Sequence, residues 1–124
     1  MTWIIVAGSR GFTDRDRVHQ ELDTWHRQDP ITRIVHGGCS GPDTYADEWA
    51  AAREIPRTIF EADWDTHGKA AGPMRNADMV KLSGAHAVMV FWDGKSRGTA
   101  NLMRQATRIR YMKVCVVRTK ETTE

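Results

Sequence analysis

Residues that can bind an anion or a sugar cluster in four short segments of this 124-residue chain. The segments combine glycines with hydroxyl groups, guanidinium groups, carboxylates and an imidazole, and they span residues 8–13, 37–42, 63–72 and 93–98. Glycine lets a backbone approach a ligand closely, and guanidinium groups grip phosphate in a bidentate fashion. Loops that only join elements need few such groups, so the four segments predict a binding site.

The elements that position these segments follow from the hydrophobic pattern. Continuous apolar runs predict five strands, at residues 3–7, 33–36, 58–60, 87–92 and 113–117. Four helices are predicted between them, at about residues 14–28, 43–54, 73–84 and 98–110, and residues 62–72 are predicted to be a polar loop. Thr13 and Asp16 have the spacing of a capping box at the first helix.

This alternation predicts the α/β fold class: a single Rossmann-like three-layer domain with a five-stranded parallel sheet and helices on both faces. The domain is expected to span residues 1–119, with a polar tail at 120–124. In such sheets, ligands bind beyond the carboxyl ends of the strands. All four polar segments leave those ends, so they are expected to line one crevice.

Composition excludes several classes of protein. The formal charge of +2, from 18 basic and 16 acidic residues, is too balanced for non-specific nucleic-acid binding. No apolar run reaches the length of a membrane span, and the first residues lack the features of a secretory leader, so a cytoplasmic protein is expected. Two cysteines cannot form a disulfide framework or a four-ligand zinc site. Two features are unusual, namely five tryptophans and an excess of arginine over lysine.

Two glycine-containing turns are the strongest candidates for phosphate contacts. The turn at residues 37–41 is either a phosphate cradle at a helix start or a tight turn that needs positive φ. The turn at residues 94–99 is either a second clamp or a solvated loop in which Ser96 or Thr99 caps a helix. Trp64 and Trp92 lie beside the loops, where each either plugs the core or stacks on a base.

The remaining candidates are charged or nucleophilic side chains. Arg10 and Arg75 can neutralise a phosphate, Asp65 or Asp93 can accept ribose hydroxyls or act as an acid, and Cys39 is a candidate thiol nucleophile. The tentative catalytic set is Arg75, Asp65 and Asp93, and no metal site is predicted. The predicted ligand-binding residues are Gly8, Ser9, Arg10, Gly37, Gly38, Cys39, Ser40, Gly41, Asp43, Asp63, His67, Lys69, Arg75, Asn76, Trp92, Asp93, Ser96, Arg97, Gly98 and Thr99.

Taken together, the motifs resemble the YspA/YpsA-related branch of the SLOG superfamily. The resemblance spans almost the whole chain and rests on five stretches, VAGSR (6–10), HGGCSGPD (36–43), ADEWA (46–50), GPMRNADM (72–79) and FWDGKSRGT (91–99). It implies a Rossmann-like fold, a bacterial or phage protein, and a nucleotide or nucleotide-derived ligand. Distant relatives include LOG-type phosphoribohydrolases and DprA-like proteins.

The comparison with the LOG-type enzymes is partial. Gly37-Gly38 matches their glycine-rich turn, Arg75 and Met79 match their helix start with Asn76 in place of lysine, and Gly98-Thr99 matches part of their last motif. The catalytic glutamate of those enzymes would fall on Leu102. The pattern therefore supports a nucleotide pocket without the LOG-type acid. An acid would have to come from Asp93, Asp65 or Glu48.

The sequence is compatible with three functions. The first is a sensor or sequestering module that binds an ADP-ribose-like ligand or a nucleoside phosphate. The alternatives are a nucleotide-processing hydrolase, such as an N-glycosidase, and an adaptor for a protein or single-stranded DNA. We expect no resident cofactor, no membrane contact, no specific nucleic-acid partner, and assembly into a homodimer or a higher homo-oligomer.

Overall fold

The five apolar runs form the five strands of one sheet. A computed structural model describes residues 1–118 and contains β1 (Thr2–Gly8), β2 (Ile31–His36), β3 (Arg57–Ile59), β4 (Ala87–Trp92) and β5 (Lys113–Arg118). The helices are α1 (Arg15–Gln28), α2 (Pro42–Ala52), α3 (Trp64–His67), α4 (Ala71–Leu82) and α5 (Arg97–Thr107), with a 3₁₀ turn at Gly68–Ala70.

The strand order is β3-β2-β1-β4-β5, and every neighbouring pair is parallel. At the centre, Ile5 of β1 is in register with Val35 of β2 and Val88 of β4. The chain leaves β1 toward β2 and β3 and then returns to place β4 on the other side of β1. The crevice between the loops after β1 and β4 is the position where such sheets bind ligands. The α/β, Rossmann-like class is confirmed.

Alternating residues of the central strand supply two cores. Ile4 and Val6 face α1 and α2, where they pack with a cluster that includes Val18, Leu22 and the fully buried Trp49. Ile5 and Ala7 face α4 and α5, where the partners include Met79, Val80, Leu102 and Ala106. Because both faces of β1 are covered, the strand reads as a continuous apolar run. A ligand site can therefore be built only beyond the strand ends.

The prediction of a polar loop at residues 62–72 is wrong. It contains α3, the 3₁₀ turn and the start of α4, which begins at Ala71 rather than at Pro73. The described chain therefore has five α-helices rather than four. The carboxylate of Asp63 accepts the Thr66 N–H at 3.2 Å and caps α3, and no residue of α3 is buried. Hydrophobic periodicity reports burial against a core, so it misses a helix that buries nothing.

The cap of α1 is a second, smaller correction. Asp14, not Thr13, is the capping residue, and its side chain accepts the Arg17 N–H at 3.0 Å. The prediction of a polar tail at 120–124 concerns residues outside the described range. Within residues 1–118, no helix is long and apolar enough to cross a membrane.

Candidate functional site

A cavity of about 690 Å³ lies at the carboxyl ends of the strands. Its walls come from the loops after β1, β2 and β4, from α3 and the start of α4, and from one side of α5. Fourteen predicted ligand-binding residues line it: Gly8, Ser9, Arg10, Gly37, Cys39, Asp43, Lys69, Arg75, Asn76, Asp93, Ser96, Arg97, Gly98 and Thr99. The structure therefore brings most of the predicted set together around one space.

The turn after β2 is organised by the buried carboxylate of Asp43. Its Oδ2 accepts the N–H of Gly37 at 2.9 Å and the N–H of Cys39 at 3.3 Å. Burial raises the pKa of this carboxyl, although these hydrogen bonds act in the opposite direction. The Gly38 N–H donates to Nδ1 of His36 at 3.0 Å.

The geometry of this turn favours a tight turn over a phosphate cradle, because three of its N–H groups already have acceptors within the protein. Gly38, Ser40 and Gly41 do not line the cavity. Gly41 has a φ of +85°, and a Cβ there would lie 3.2 Å from the Ser9 carbonyl oxygen. The tight-turn reading fits this geometry, since only glycine combines that φ with such a close approach.

His36 connects the same turn to the edge of the sheet. Since its Nδ1 accepts the Gly38 N–H, the proton lies on Nε2, which donates to Asp47 at 2.8 Å. Asp47 also pairs with Arg57 of β3 at 3.2 Å. The conformation of the turn is thus fixed from two sides, by Asp43 within α2 and by His36 at the end of β2.

Arg75 is a half-buried cation between the turn and α4. Its guanidinium donates to the Gly37 carbonyl at 2.7 Å and to the Asn76 side chain at 2.9 Å. Both terminal nitrogens also lie 3.8 Å from the Cys39 sulfur. The guanidinium is therefore held in place at the cavity wall, with hydrogen bonds to uncharged groups.

Asn76 links this cation to the far wall of the cavity. Its amide donates to the Gly98 carbonyl at 3.2 Å and to the Asn101 side chain at 3.1 Å. Gln105 donates to the same Asn101 oxygen at 3.1 Å. This chain of hydrogen bonds joins the second turn of α4 to the N-terminal half of α5, so Arg75 and the β4–α5 loop keep a fixed relation.

The loop after β4 is shaped by Asp93. Its Oδ1 accepts the N–H groups of Lys95 and Ser96, each at 2.8 Å, and hydrogen bonding by Ser96 is the main cause that lowers the pKa of Asp93. The Asp93 N–H donates to the Ser9 hydroxyl at 3.1 Å, which joins this loop to the loop after β1. Ser96 caps α5 through the Thr99 N–H, as one of the two sequence readings anticipated.

The charge of the cavity is strongly unbalanced. Arginine and lysine contribute five cations to its lining, and aspartate contributes two carboxylates, Asp43 and Asp93. Each carboxylate accepts two backbone N–H groups. Within residues 1–118, no ion pair involves any of the five cations Arg10, Lys69, Arg75, Arg97 and Arg104. Such a cavity favours an anion.

Several predicted residues stand apart from this space. Asp63 caps α3, and Asp65 and His67 are exposed on the same helix, so none of the three lines the cavity. Trp92 also lies outside the lining, where its Nε1 donates to the Ser96 carbonyl at 3.1 Å and Arg118 lies over its ring. Of the tentative catalytic set, Arg75 and Asp93 reach the cavity and Asp65 does not.

The structure adds lining residues that the loop-based reasoning missed. Trp64, for which the sequence leaves a core plug and a base contact as alternatives, lines the cavity and is half exposed. Asn101 and Arg104 were missed because they belong to a helix rather than to a loop. Their spacing from Arg97, at i+4 and i+7, places all three along one side of α5 and was an available signal. The other additional residues are Ala7, Gly11, Gly72, Pro73, Met79 and Leu102.

The fold and the cavity define this chain as a Rossmann-like α/β domain with a cationic crevice at the carboxyl edge of its sheet. Its sequence matches the profile of the YspA, cpYpsA-related SLOG family (YAcAr) over residues 2–67. It is also 38% identical over 114 residues to the Gene 61 protein of Mycobacterium phage D29, covering 87% of this chain and 90% of that protein. The chain belongs to the YspA, cpYpsA-related SLOG family. No solved structure matches it significantly.

Proposed function

We propose that this protein binds a nucleotide or a nucleotide-derived ligand, of the ADP-ribose or nucleoside phosphate type, as a sensor or sequestering module. The observation that carries the proposal is the cavity with five cations that have no ion-pair partner within residues 1–118. Membership of the SLOG family is consistent with a nucleotide-related ligand. The proposed site has the location at which open α/β sheets bind ligands.

The phosphate is proposed to contact α5 rather than the turn after β2. The first residues of α5, Arg97 and Gly98, line the cavity with Thr99, so a cation and a helix N-terminus face the same space. The opposite wall contributes Arg75, whose guanidinium is already oriented by Gly37 and Asn76. Orientation before binding reduces the entropy that binding must overcome.

A panel of ligands tests the proposal. Thermal unfolding of the full chain is followed with AMP, ADP-ribose, NAD and cyclic dinucleotides, each against a buffer control. A ligand present at 100 times its Kd stabilises the folded state by about 2.7 kcal/mol, which raises Tm by several degrees. If no member of the panel raises Tm, the proposal is wrong for these ligand classes.

The hydrolase alternative has less support from the geometry. Cleavage of an N-glycosidic bond needs a carboxylate beside the sugar. Asp65 and Glu48 are outside the cavity lining, and Asp43 is buried, where it accepts the N–H groups of Gly37 and Cys39. Hydrogen bonds from Ser96 and Lys95 lower the pKa of Asp93, which disfavours it as a proton donor. We therefore expect AMP and NAD to be recovered intact after long incubation, as judged by chromatography of the products. The homo-oligomer stays a prediction, which light scattering of the purified protein can check.

A further inference from the structure

We propose that Trp64 is the stacking platform for the base of the ligand, so that this site selects base-bearing nucleotides over sugar phosphates. The inference rests on the proposed function and adds to it the part of the ligand that the cations do not explain. The base of the ligand, rather than its sugar or phosphate, is therefore expected to contribute affinity through Trp64.

Trp64 is the aromatic side chain among the cavity-lining residues of the described chain. It is 49% exposed, which is unusual for the largest apolar side chain of a small domain. A Cβ on Gly72 would lie 3.2 Å from Cη2 of the indole. The ring is thus supported at its edge by a residue without a side chain, at the boundary of the cavity.

Trp64 differs from the other four tryptophans in what lies over its ring. Each has a cation over its ring, with Arg53 at 4.4 Å from the centroid of Trp49 and Arg118 at 5.1 Å from that of Trp92. Arg33 lies over Trp3 and Lys113 over Trp25 at similar distances. Within residues 1–118, no cation lies over Trp64. The same π surface that attracts a cation also stacks on a nucleobase, and here it has no partner.

Several cations line the same cavity as Trp64. Lys69 follows it by five residues, whereas Arg10 belongs to the loop after β1 and Arg97 and Arg104 belong to α5. The lining thus presents one aromatic surface and several cations. A sugar phosphate would use the cations and leave the indole in water, whereas a nucleotide would cover both.

The segment that carries Trp64 can adapt to a base. Residues 63–70 are all exposed, and the hydrogen bonds of Asp63 with the N–H groups of Thr66 and His67 are internal to it. A small displacement of this segment would therefore break no hydrogen bond to the sheet. Segments with few buried contacts are the ones that move at low cost.

The test combines removal of the indole with removal of the base. Full-length protein is titrated calorimetrically with AMP and with ribose 5-phosphate, which has the same phosphate and sugar but no base. The proteins are wild type, Trp64→Ala, Trp64→Phe and the control Trp3→Ala. Trp3 is also partly exposed, at 38%, but it lies at the beginning of β1, away from the cavity.

Stacking of a base on an aromatic side chain accounts for roughly 5- to 150-fold in affinity. Wild type is expected to bind AMP more tightly than ribose 5-phosphate by a factor in this range. Trp64→Ala should remove that advantage and leave the affinity for ribose 5-phosphate unchanged. Trp64→Phe should retain most of it, and Trp3→Ala all of it. AMP should quench tryptophan fluorescence in wild type and not in Trp64→Phe.

Two results would overturn the inference while leaving the proposed function in place. One is equal affinity of wild type for AMP and ribose 5-phosphate, and the other is an equal loss of both ligands in Trp64→Ala. If neither these two ligands nor ADP-ribose bind to wild type, the proposed function fails, and the inference fails with it.

Discussion

The guanidinium of Arg75 donates to the carbonyl oxygen of Gly37 at 2.7 Å, across 38 residues of sequence. The contact joins the second turn of α4 to the residue that follows β2, and it forms at a residue that has no side chain. A Cβ built on Gly37 would overlap the guanidinium. A larger residue here would therefore displace the flexible end of Arg75, while the backbone of Gly37, whose φ is not positive, would accept a side chain.

A double-mutant cycle tests this relation. Gly37→Ala should destabilise the wild-type protein by about 0.5–1.5 kcal/mol, because Arg75 must give up its hydrogen bond to make room for the methyl group. In the Arg75→Ala background the Cβ has room, so the same substitution should cost little. The coupling energy is expected to exceed about 0.5 kcal/mol in urea unfolding measurements. Additive effects of the two substitutions would contradict the assigned contact.

Asp43 is expected to be a structural requirement of the site. Asp43→Ala removes the acceptor of two backbone N–H groups, at Gly37 and Cys39, in a buried location. An unsatisfied buried donor costs about 1–3 kcal/mol, so the free energy of unfolding should fall by that order. Asp78→Ala, at an exposed position of α4, is the matched control and should stay within about 0.5 kcal/mol of wild type. Equal stability of the two variants would refute this role.

The raised pKa of Asp43 predicts a pH dependence of known sign. Burial raises the folded-state pKa above the ordinary value of 3.8, so the folded protein holds this proton at a pH where the unfolded chain has lost it. The contribution of Asp43 to stability therefore declines as pH rises from 3.8 through the folded-state pKa. Asp43→Asn cannot titrate, so the difference in unfolding free energy between wild type and this variant should change in that direction. A difference that is independent of pH would show that the shift is absent.

Asp93 should behave in the opposite way. Hydrogen bonds from Ser96 and Lys95 lower its pKa below 3.8, so the ionised form stabilises the fold. This stabilisation is fully present above 3.8 and is lost as pH falls through the folded-state pKa. Asp93→Ala should lower the unfolding free energy at neutral pH by about 0.5–2 kcal/mol, as for the loss of a cap. The gap to wild type should close in acid, and a gap that widens there would contradict the sign.

The unpaired cations should affect ligand affinity without affecting stability. Arg10→Gln and Arg97→Gln each remove an exposed charge that belongs to no ion pair within the described residues. A hydrogen bond to a charged group contributes about 1.5–3 kcal/mol, so each variant should bind AMP at least roughly tenfold more weakly. Arg110→Gln, exposed and outside the cavity lining, is the control. Equal AMP affinities of the three variants would show that Arg10 and Arg97 do not bind the phosphate.

The strands of the sheet could be predicted from the sequence because the buried residues are also the hydrophobic ones there. Ile4 and Ile5 face opposite cores, and this covering on both sides is what the apolar run records. The location of the site followed from the same fact, since parallel strands bring their carboxyl ends together. The stretch around Trp64 was misjudged because its helix buries nothing and leaves no periodic pattern.

The pairings within the site could not be inferred from local sequence. Whether the N–H groups of Gly37 and Cys39 face a ligand or the carboxylate of Asp43 depends on how α2 is seated on the sheet. That orientation is set by packing at Trp49 and Ala46, remote from the turn. The pairing of tryptophan with arginine could not be inferred either, because residues such as Trp3 and Arg33 come together only in the folded chain.

The exposed segment at residues 63–70 can change in sequence at little cost to the fold. Substitutions there remove no fully buried side chain and break no hydrogen bond to the sheet, so they should affect the folding of the domain little. Because Trp64 and Lys69 both belong to it, the same substitutions would alter what the cavity accepts. A change of this segment would then alter the shape and charge of the cavity on an unchanged sheet.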